Sequence, residues 1–369
     1  MKILVAGDYC PQNRVSQLFE NRDYEVVLGE VKPIVEEVDY SIVNFECPVC
    51  EGDETPIAKC GPNLHCSERG VEALRWAGFS CVSLANNHFL DFGVEGVDKT
   101  LKACHEYDID TVGGGMTLNE AAKVLYKKIG ENCLAIINCC EHEFSIATNK
   151  TAGSNPLNPV QQYYEIQEAR KNADHVLIIV HGGYEEFQLP SVRMQKLYRF
   201  FIDLGADAVI NHHQHCFSGY EVYKNKPIFY GLGNFCFDKE TKNKQWNEGI
   251  LVKIEFDKDV NFSIIPFNQC SKDAKIHVLS PDNYNVKIEE LNKIILNPKE
   301  LSSYLEEYLK SSRKSYSNIF EKCSNRILLS MINRGILPST ISSKRRNKAY
   351  NFINCESHRE KLLYCLREL

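Results

Sequence analysis

Short β-branched and apolar runs alternate with stretches of helical periodicity through the first two thirds of the chain, which is the pattern of a layered α/β fold. Strands are predicted at Ile3–Ala6, Ser41–Phe45, Cys81–Ala85, Leu134–Cys139, Val176–Val180, Ala208–Asn211, Ile228–Tyr230 and Ile250–Phe256. Helices are predicted between them at Ser67–Ala77, Val94–His105, Val160–Asn172 and Val192–Leu204. Around Asp257–Pro281 the pattern weakens, and beyond Pro281-Asp282-Asn283-Tyr284 it turns helical. Segments at Val286–Leu296, Glu300–Lys310, Ser317–Asn333 and Ser357–Leu366 follow, with Gly335 and Pro338 as breakers. The expected organisation is one domain over 1–268, a connection over 269–284 and a basic helical region over 285–369.

Five of these strands run directly into polar residues. Asp8 follows the first, Glu46 the second and Asn86-Asn87-His88 the third; Val176–Val180 leads into His181, and Ala208–Ile210 into Asn211-His212-His213-Gln214-His215. In an open α/β sheet the C-terminal strand ends gather on one edge, so these five segments are expected to form one polar cluster. Hard oxygen donors and imidazoles on rigid strand ends are what a catalytic two-metal site requires, together with a group able to protonate a leaving oxygen. Asp8, Glu46, Asn87, His181, His213 and His215 supply the donors, and His88 stands beside them as the candidate acid. Taken singly, each has a plainer reading: Asp8 as a helix cap, Glu46 as a loop carboxylate, Asn86 and Asn87 as turn formers, His181 as a hydrogen-bonded structural histidine. Three histidines in four positions at a strand end are rarely accidental, and the other groups sit where ligands belong on the same edge.

Ordered along the chain, Gly7-Asp8, Asn44-Phe45-Glu46-Cys47-Pro48, Leu84-Ala85-Asn86-Asn87-His88-Phe89-Leu90-Asp91-Phe92-Gly93, His181-Gly182-Gly183-Tyr184-Glu185, Asn211-His212-His213-Gln214-His215 and Tyr230-Gly231-Leu232-Gly233-Asn234-Phe235 resemble the bacterial capsule-synthesis CapA (poly-γ-glutamate synthesis) family, over roughly Met1 to Phe256. That family is similar to the calcineurin-like metallophosphoesterases. The resemblance implies a four-layer αββα sandwich with a C-terminal helical appendage, and two divalent metal ions (Mn, Zn, Fe or Mg). Carried over, Asp8 holds the first metal, Glu46 takes the bridging place and Asn87 binds the second metal, with His181, His213 and His215 completing the coordination. His88, Asp91 and Glu185 are then the catalytic candidates, and Asn44, Asn86, His212 and Asn234 position ligands or substrate. The phosphoesterase Asp-x-His is here Asp8-Tyr9-Cys10, so a nitrogen ligand is missing or Cys10 replaces it; Asn44-Phe45-Glu46 stands for the Gly-Asp-x-x-Asp segment, and Asn211 for a small residue. The implied function is a hydrolase of capsule polysaccharide or poly-γ-glutamate synthesis, acting on a phosphorylated saccharide or a γ-glutamyl amide. The alternative is a non-catalytic assembly protein that docks a surface-polymer synthase.

Composition adds three points. With 43% hydrophobic and 25% charged residues among 369, the chain supports a large core rather than disorder. No run approaches the roughly eighteen apolar residues of a membrane span and no signal-peptide pattern opens the chain, so a cytoplasmic protein is expected. From Asn285 to Leu369, 16 Lys+Arg face 9 Asp+Glu, a balance of +7 that leaves −13 for the remainder of a chain whose total is −6. The run Lys344-Arg345-Arg346-Asn347-Lys348 reads as a solvated helix end; without interleaved aromatics it implies no nucleic-acid partner. The 16 cysteines lie mainly in apolar runs, as buried reduced thiols do. Cys47 and Cys50 have zinc-knuckle spacing, but Cys60 and Cys66 are too far apart for the common four-thiolate pattern.

Overall fold

Alternate residues of each central strand enter different apolar layers, and this alternation builds the architecture. In the computed structural model, which describes residues 1–317, 331 and 342–367, Ile3 and Val5 pack between two sheets while Leu4 and Ala6 pack against helices on the outside. The second sheet does the same: Leu134 and Ile136 join the middle layer, and Ala135, Ile137 and Cys139 the opposite outer one. Three apolar layers therefore separate helices, sheet, sheet and helices, the predicted four-layer αββα sandwich. Strands buried on both faces read as nearly continuous apolar runs, which is why they were visible in the sequence.

The first sheet runs, edge to edge, Ile276–Val278, Val260–Gln269, Glu248–Phe256, Lys2–Tyr9, Tyr40–Phe45, Cys81–Ser83 and Asp110–Val112, with the short strand Asn234–Cys236 also pairing with Lys2–Tyr9. The second runs Tyr220–Tyr223, Lys226–Phe229, Ala208–His212, His175–His181, Asn132–Cys140 and Leu125–Ile129. In both, the central strands are parallel, so their C-terminal ends lie on one edge. Helices close the crossovers: Val192–Leu204 starts where the Ser191 hydroxyl accepts from the Met194 N–H at 3.2 Å, and ends at Gly205 with φ 116°.

The weakly patterned stretch after Asp257 holds two strands that were not predicted. Val260–Gln269 pairs along its length with Glu248–Phe256, and Ile276–Val278 forms the sheet edge. Several residues of Val260–Gln269 are half-exposed, so its apolar alternation is diluted. Helix Asp282–Leu296 buries Tyr284 and Ile288 in the middle layer, and helix Pro298–Ser317 puts Leu301 and Leu305 into the outer layer of the second sheet. Two further helices, Ser343–Asn354 and Glu356–Arg367, share a small core of Phe352, Leu362 and Cys365. The predicted helix Ser317–Asn333, apart from Ser317 and Met331, and its breakers Gly335 and Pro338 lie outside the described residues.

Candidate metal centre

Asp8 reaches the strand-end edge because two backbones approach closely. A Cβ at Gly7 would lie 1.9 Å from the Gly233 carbonyl oxygen, which accepts the Asp8 N–H at 3.1 Å. Pairing with Tyr40–Phe45 shifts register between Ala6 and Asp8, and beyond that shift Asp8 is opposite Asn44. The Asn44 amide donates to Asp8 Oδ1 at 2.8 Å and lies 3.2 Å from His181 Nδ1, so one side chain from the first sheet orients a residue of each sheet. Across the second sheet, His212 is in register with His181. Asn211 locks the following loop: its Oδ1 accepts the Tyr198 hydroxyl at 2.6 Å, and its Nδ2 donates to the carbonyls of Gly182, His212 and Tyr230 at 2.9–3.0 Å. His213 and His215 then adopt φ of 91° and 53°, a left-handed backbone that β-carbon residues rarely enter and that is typically held at functional sites.

Two donor groups result, each with its ligand atoms within 4.8 Å of one another: Glu46, His181 and His213 in one, Asp8, Glu46 and His215 in the other. Glu46 belongs to both. Its Oε1 lies 3.5 Å from His181 Nε2 and 3.6 Å from His215 Nε2. Asn87 joins the first group, its Oδ1 being 3.0 Å from His181 Nε2, while that same nitrogen is 3.0 Å from His213 Nδ1. Asp8 Oδ2 lies 3.5 Å from His215 Nδ1 and accepts the His213 N–H at 3.3 Å. The six residues are between 0% and 7% exposed.

Glu46 is fully buried, and neither of its carboxylate oxygens has a hydrogen-bond partner. Burial, with the neighbouring Asp8 charge added, pushes its carboxyl well above the usual range. Asp8 is raised by burial against the pull of His215, while burial and the adjacent imidazoles hold His181 far below the ordinary histidine value. An orphaned carboxylate among imidazoles and an amide oxygen is costly in an apolar interior. A divalent cation would remove that cost, and this donor set of carboxylate, amide oxygen and imidazole fits one.

Beside the donors, His88 Nδ1 lies 2.6 Å from Asp91 Oδ2. Asp91 also accepts the Leu64 N–H at 2.7 Å and pairs with Lys59, whose side chain is 2% exposed and whose Nζ is 3.0 Å from His88 Nδ1. Burial draws His88 below its usual range, opposed by the Asp91 hydrogen bond. Glu185 is solvent-accessible; burial of its surroundings would raise it, but His213 and His215 hold it below the usual carboxylate range. His212 keeps Nδ1 3.7 Å from Asp8 Oδ1, and burial lowers it to about 3. Asn234 Oδ1 lies 2.9 Å from His215 Nδ1. Asn86 instead braces the loop, donating to the Phe45 carbonyl at 2.8 Å and accepting the His88 N–H at 3.0 Å.

Cys10 belongs to neither donor group: it is buried against Cys47 and pushed up to about 11 by burial. The thiol of Cys50 donates to Glu54 at 2.7 Å, and that of Cys60 to the Lys344 carbonyl at 3.8 Å, so Cys47, Cys50, Cys60 and Cys66 do not converge on one point. Lys59 escaped the sequence reading because its loop carries no periodicity. Glu143, whose largely buried carboxylate is within electrostatic reach of His358, His213 and His88, was also missed, although it stands just past the strand ending at Cys140 as the other strand-end groups do.

Residues 2–239 match the family described as bacterial capsule synthesis protein PGA_cap. The chain belongs to that family. It is 33% identical over 247 residues to the capsule biosynthesis protein CapA of Bacillus anthracis, covering 65% of this chain and 60% of that protein. It is likewise 33% identical over 236 residues to the PGA biosynthesis protein CapA of Bacillus subtilis strain 168, covering 63% and 62%. The chain thus spans about three fifths of the length of these PGA_cap relatives. Among solved structures it is similar to a hypothetical protein from Thermus thermophilus, with 16% identity, a TM-score of 0.47 and coverage of 73% of this chain and 99% of that one. A putative 5'-nucleotidase from Staphylococcus aureus is similar at 14% identity and a TM-score of 0.45, covering 79% and 58%. No described helix of this PGA_cap member is long and apolar enough to cross a membrane.

Proposed function

We propose that this chain is a metal-dependent hydrolase of surface-polymer biosynthesis, acting on a phosphorylated saccharide or a γ-glutamyl amide of capsule or poly-γ-glutamate metabolism. The observation that carries the reading is Glu46: buried, without a hydrogen bond, and common to both donor groups. Asp8 and His215 would hold one divalent cation, Asn87, His181 and His213 the other, with Glu46 between them. When bound, such a pair supplies Lewis acidity that brings a water's pKa toward neutrality and stabilises charge on the attacked group.

The protein's own groups supply the remainder. Asp91 accepts from His88 Nδ1–H, which leaves Nε2 as the atom that exchanges a proton with the leaving group. Lys59 pairs with Asp91 and fixes it in place. Asn44 and Asn234 hold His181, Asp8 and His215 in orientation, and such supporting contacts matter nearly as much as the ligands. The names of the relatives place them in capsule and PGA biosynthesis, which supports the substrate class. The test is elemental analysis of full chain purified without chelator, followed by assay on a generic phosphodiester and a γ-glutamyl peptide. Two equivalents of divalent metal and metal-dependent turnover of either substrate are expected; a metal-free chain inert toward both would sink the proposal.

A further inference from the structure

A second convergence of ligand-type atoms lies where the C-terminal helix pair meets the body of the protein. Cys355 and His358 stand three residues apart at the start of helix Glu356–Arg367, a Cys-x-x-His spacing. Opposite them is Glu143, just past strand Asn132–Cys140. One donor atom from each of Glu143, Cys355 and His358 lies within 4.8 Å of the others. His358 Nε2 is 3.5 Å from Glu143 Oε1, and Cys355 Sγ is 3.8 Å from that oxygen. Zinc bonds of about 2.3 Å to sulfur and about 2.0 Å to nitrogen or oxygen give tetrahedral edges of roughly 3.3–3.6 Å, close to this spacing.

The thiol itself supports the same conclusion. Cys355 is 1% exposed and faces two carboxylates, Glu143 Oε1 and, at 3.5 Å, Glu141 Oε2. A thiol carries one proton and satisfies one acceptor, whereas a thiolate sharing a cation with carboxylate and imidazole satisfies the whole group. Glu141 is already engaged by Arg193 and by the Ser357 N–H at 3.1 Å, which leaves Glu143, Cys355 and His358 as the ligands and Glu141 beside the thiol.

We infer that Glu143, Cys355 and His358 form a mononuclear zinc site, separate from the central donor cluster, that ties the C-terminal helices to the rim of the centre. The mixed sulfur, nitrogen and oxygen set favours zinc over the harder divalent ions. Glu143 lies within the residues matched to the family, whereas Cys355 and His358 lie beyond them, so two of the three ligands come from the C-terminal region. Polar contacts accompany it: His142 Nδ1 lies 2.7 Å from Glu356, Arg193 Nε 3.0 Å from Glu360, and the Tyr184 hydroxyl donates to Glu360 at 2.7 Å. A metal crosslink would give that interface a fixed geometry.

The test loads the full-length chain with Co²⁺ in place of Zn²⁺ and reads the thiolate-to-metal charge-transfer absorption, alongside zinc content by mass spectrometry. The wild type and His213→Ala, which is altered only at the central cluster, are expected to show the band. Cys355→Ser is expected to lose it, and Cys355→Ser and His358→Ala each to lose one zinc per chain. Absence of the band from the wild type, or its persistence together with unchanged zinc content in both variants, overturns the assignment. Because the readout needs no substrate, it stands or falls independently of the proposed hydrolysis.

Discussion

Replacing Glu46 by glutamine separates what the fold tolerates from what the centre needs. In the metal-free protein the Glu46 carboxyl is buried without a partner and its pKa lies well above the ordinary 4.5. A carboxyl raised in the folded state destabilises the fold as pH climbs past its unfolded value. Between 4.5 and pH 7 the penalty grows by about 1.36 kcal/mol per unit, to at most about 3.4 kcal/mol. An amide of the same shape avoids it. For 369 residues the unfolding entropy is about 0.8 kcal/mol per kelvin, so Glu46→Gln should raise the chelator-treated Tm at pH 7 by up to about 4 °C. At pH 4 both states of the wild type are protonated and the difference should vanish. With divalent metal at about one thousand times Kd the sign reverses, because the variant forfeits linkage worth about 4.1 kcal/mol, more than the penalty it avoids. Differential scanning calorimetry in EDTA and in Mn²⁺, at both pH values, reads all four conditions. A chelated variant melting below the wild type at pH 7, or one whose Tm responds to metal as the wild type does, would refute the reasoning.

Three other perturbations address neighbouring links. His88→Ala should lower turnover about 10²–10⁴-fold while metal content, measured by mass spectrometry, stays the same; loss of both together removes the acid role. Lys59→Met leaves the fully buried Asp91 without its cation and should cost about 3–5 kcal/mol, a Tm fall of roughly 4–6 °C, and a change under 1 °C would show that the pair is not stabilising. Gly7→Ala places a methyl 1.9 Å from the Gly233 carbonyl oxygen and displaces Asp8, so metal content should fall although no ligand has been changed; full occupancy in a folded variant contradicts the close-approach argument.

Much of the fold was legible because its strands are buried on both faces. Val176–Val180 and Ala208–Ile210 are apolar without interruption and break off at polar residues, so strand and strand end were marked by the same signal. Val260–Gln269 was not legible, since half-exposed positions blur its alternation and its identity as a strand comes from pairing with Glu248–Phe256. The donor residues could be named from their places after strands, but the sharing of Glu46 between two groups is a property of distances across two sheets. Lys59 and Asp91 make the same point: 32 positions apart, they become partners only when the loop folds back over His88.

By itself, the sequence determined which side chains end the buried strands, because burial on both faces forces an apolar run and function must begin where the run stops. Tertiary structure decided which of those side chains meet. The parallel register of two sheets, the Gly7–Gly233 approach and the left-handed turns at His213 and His215 set separations of a few ångströms. It also brought Cys355 and His358 to Glu143 across more than 200 residues of chain. Local propensity acts over a few neighbouring residues, whereas distances of that kind are fixed only by packing.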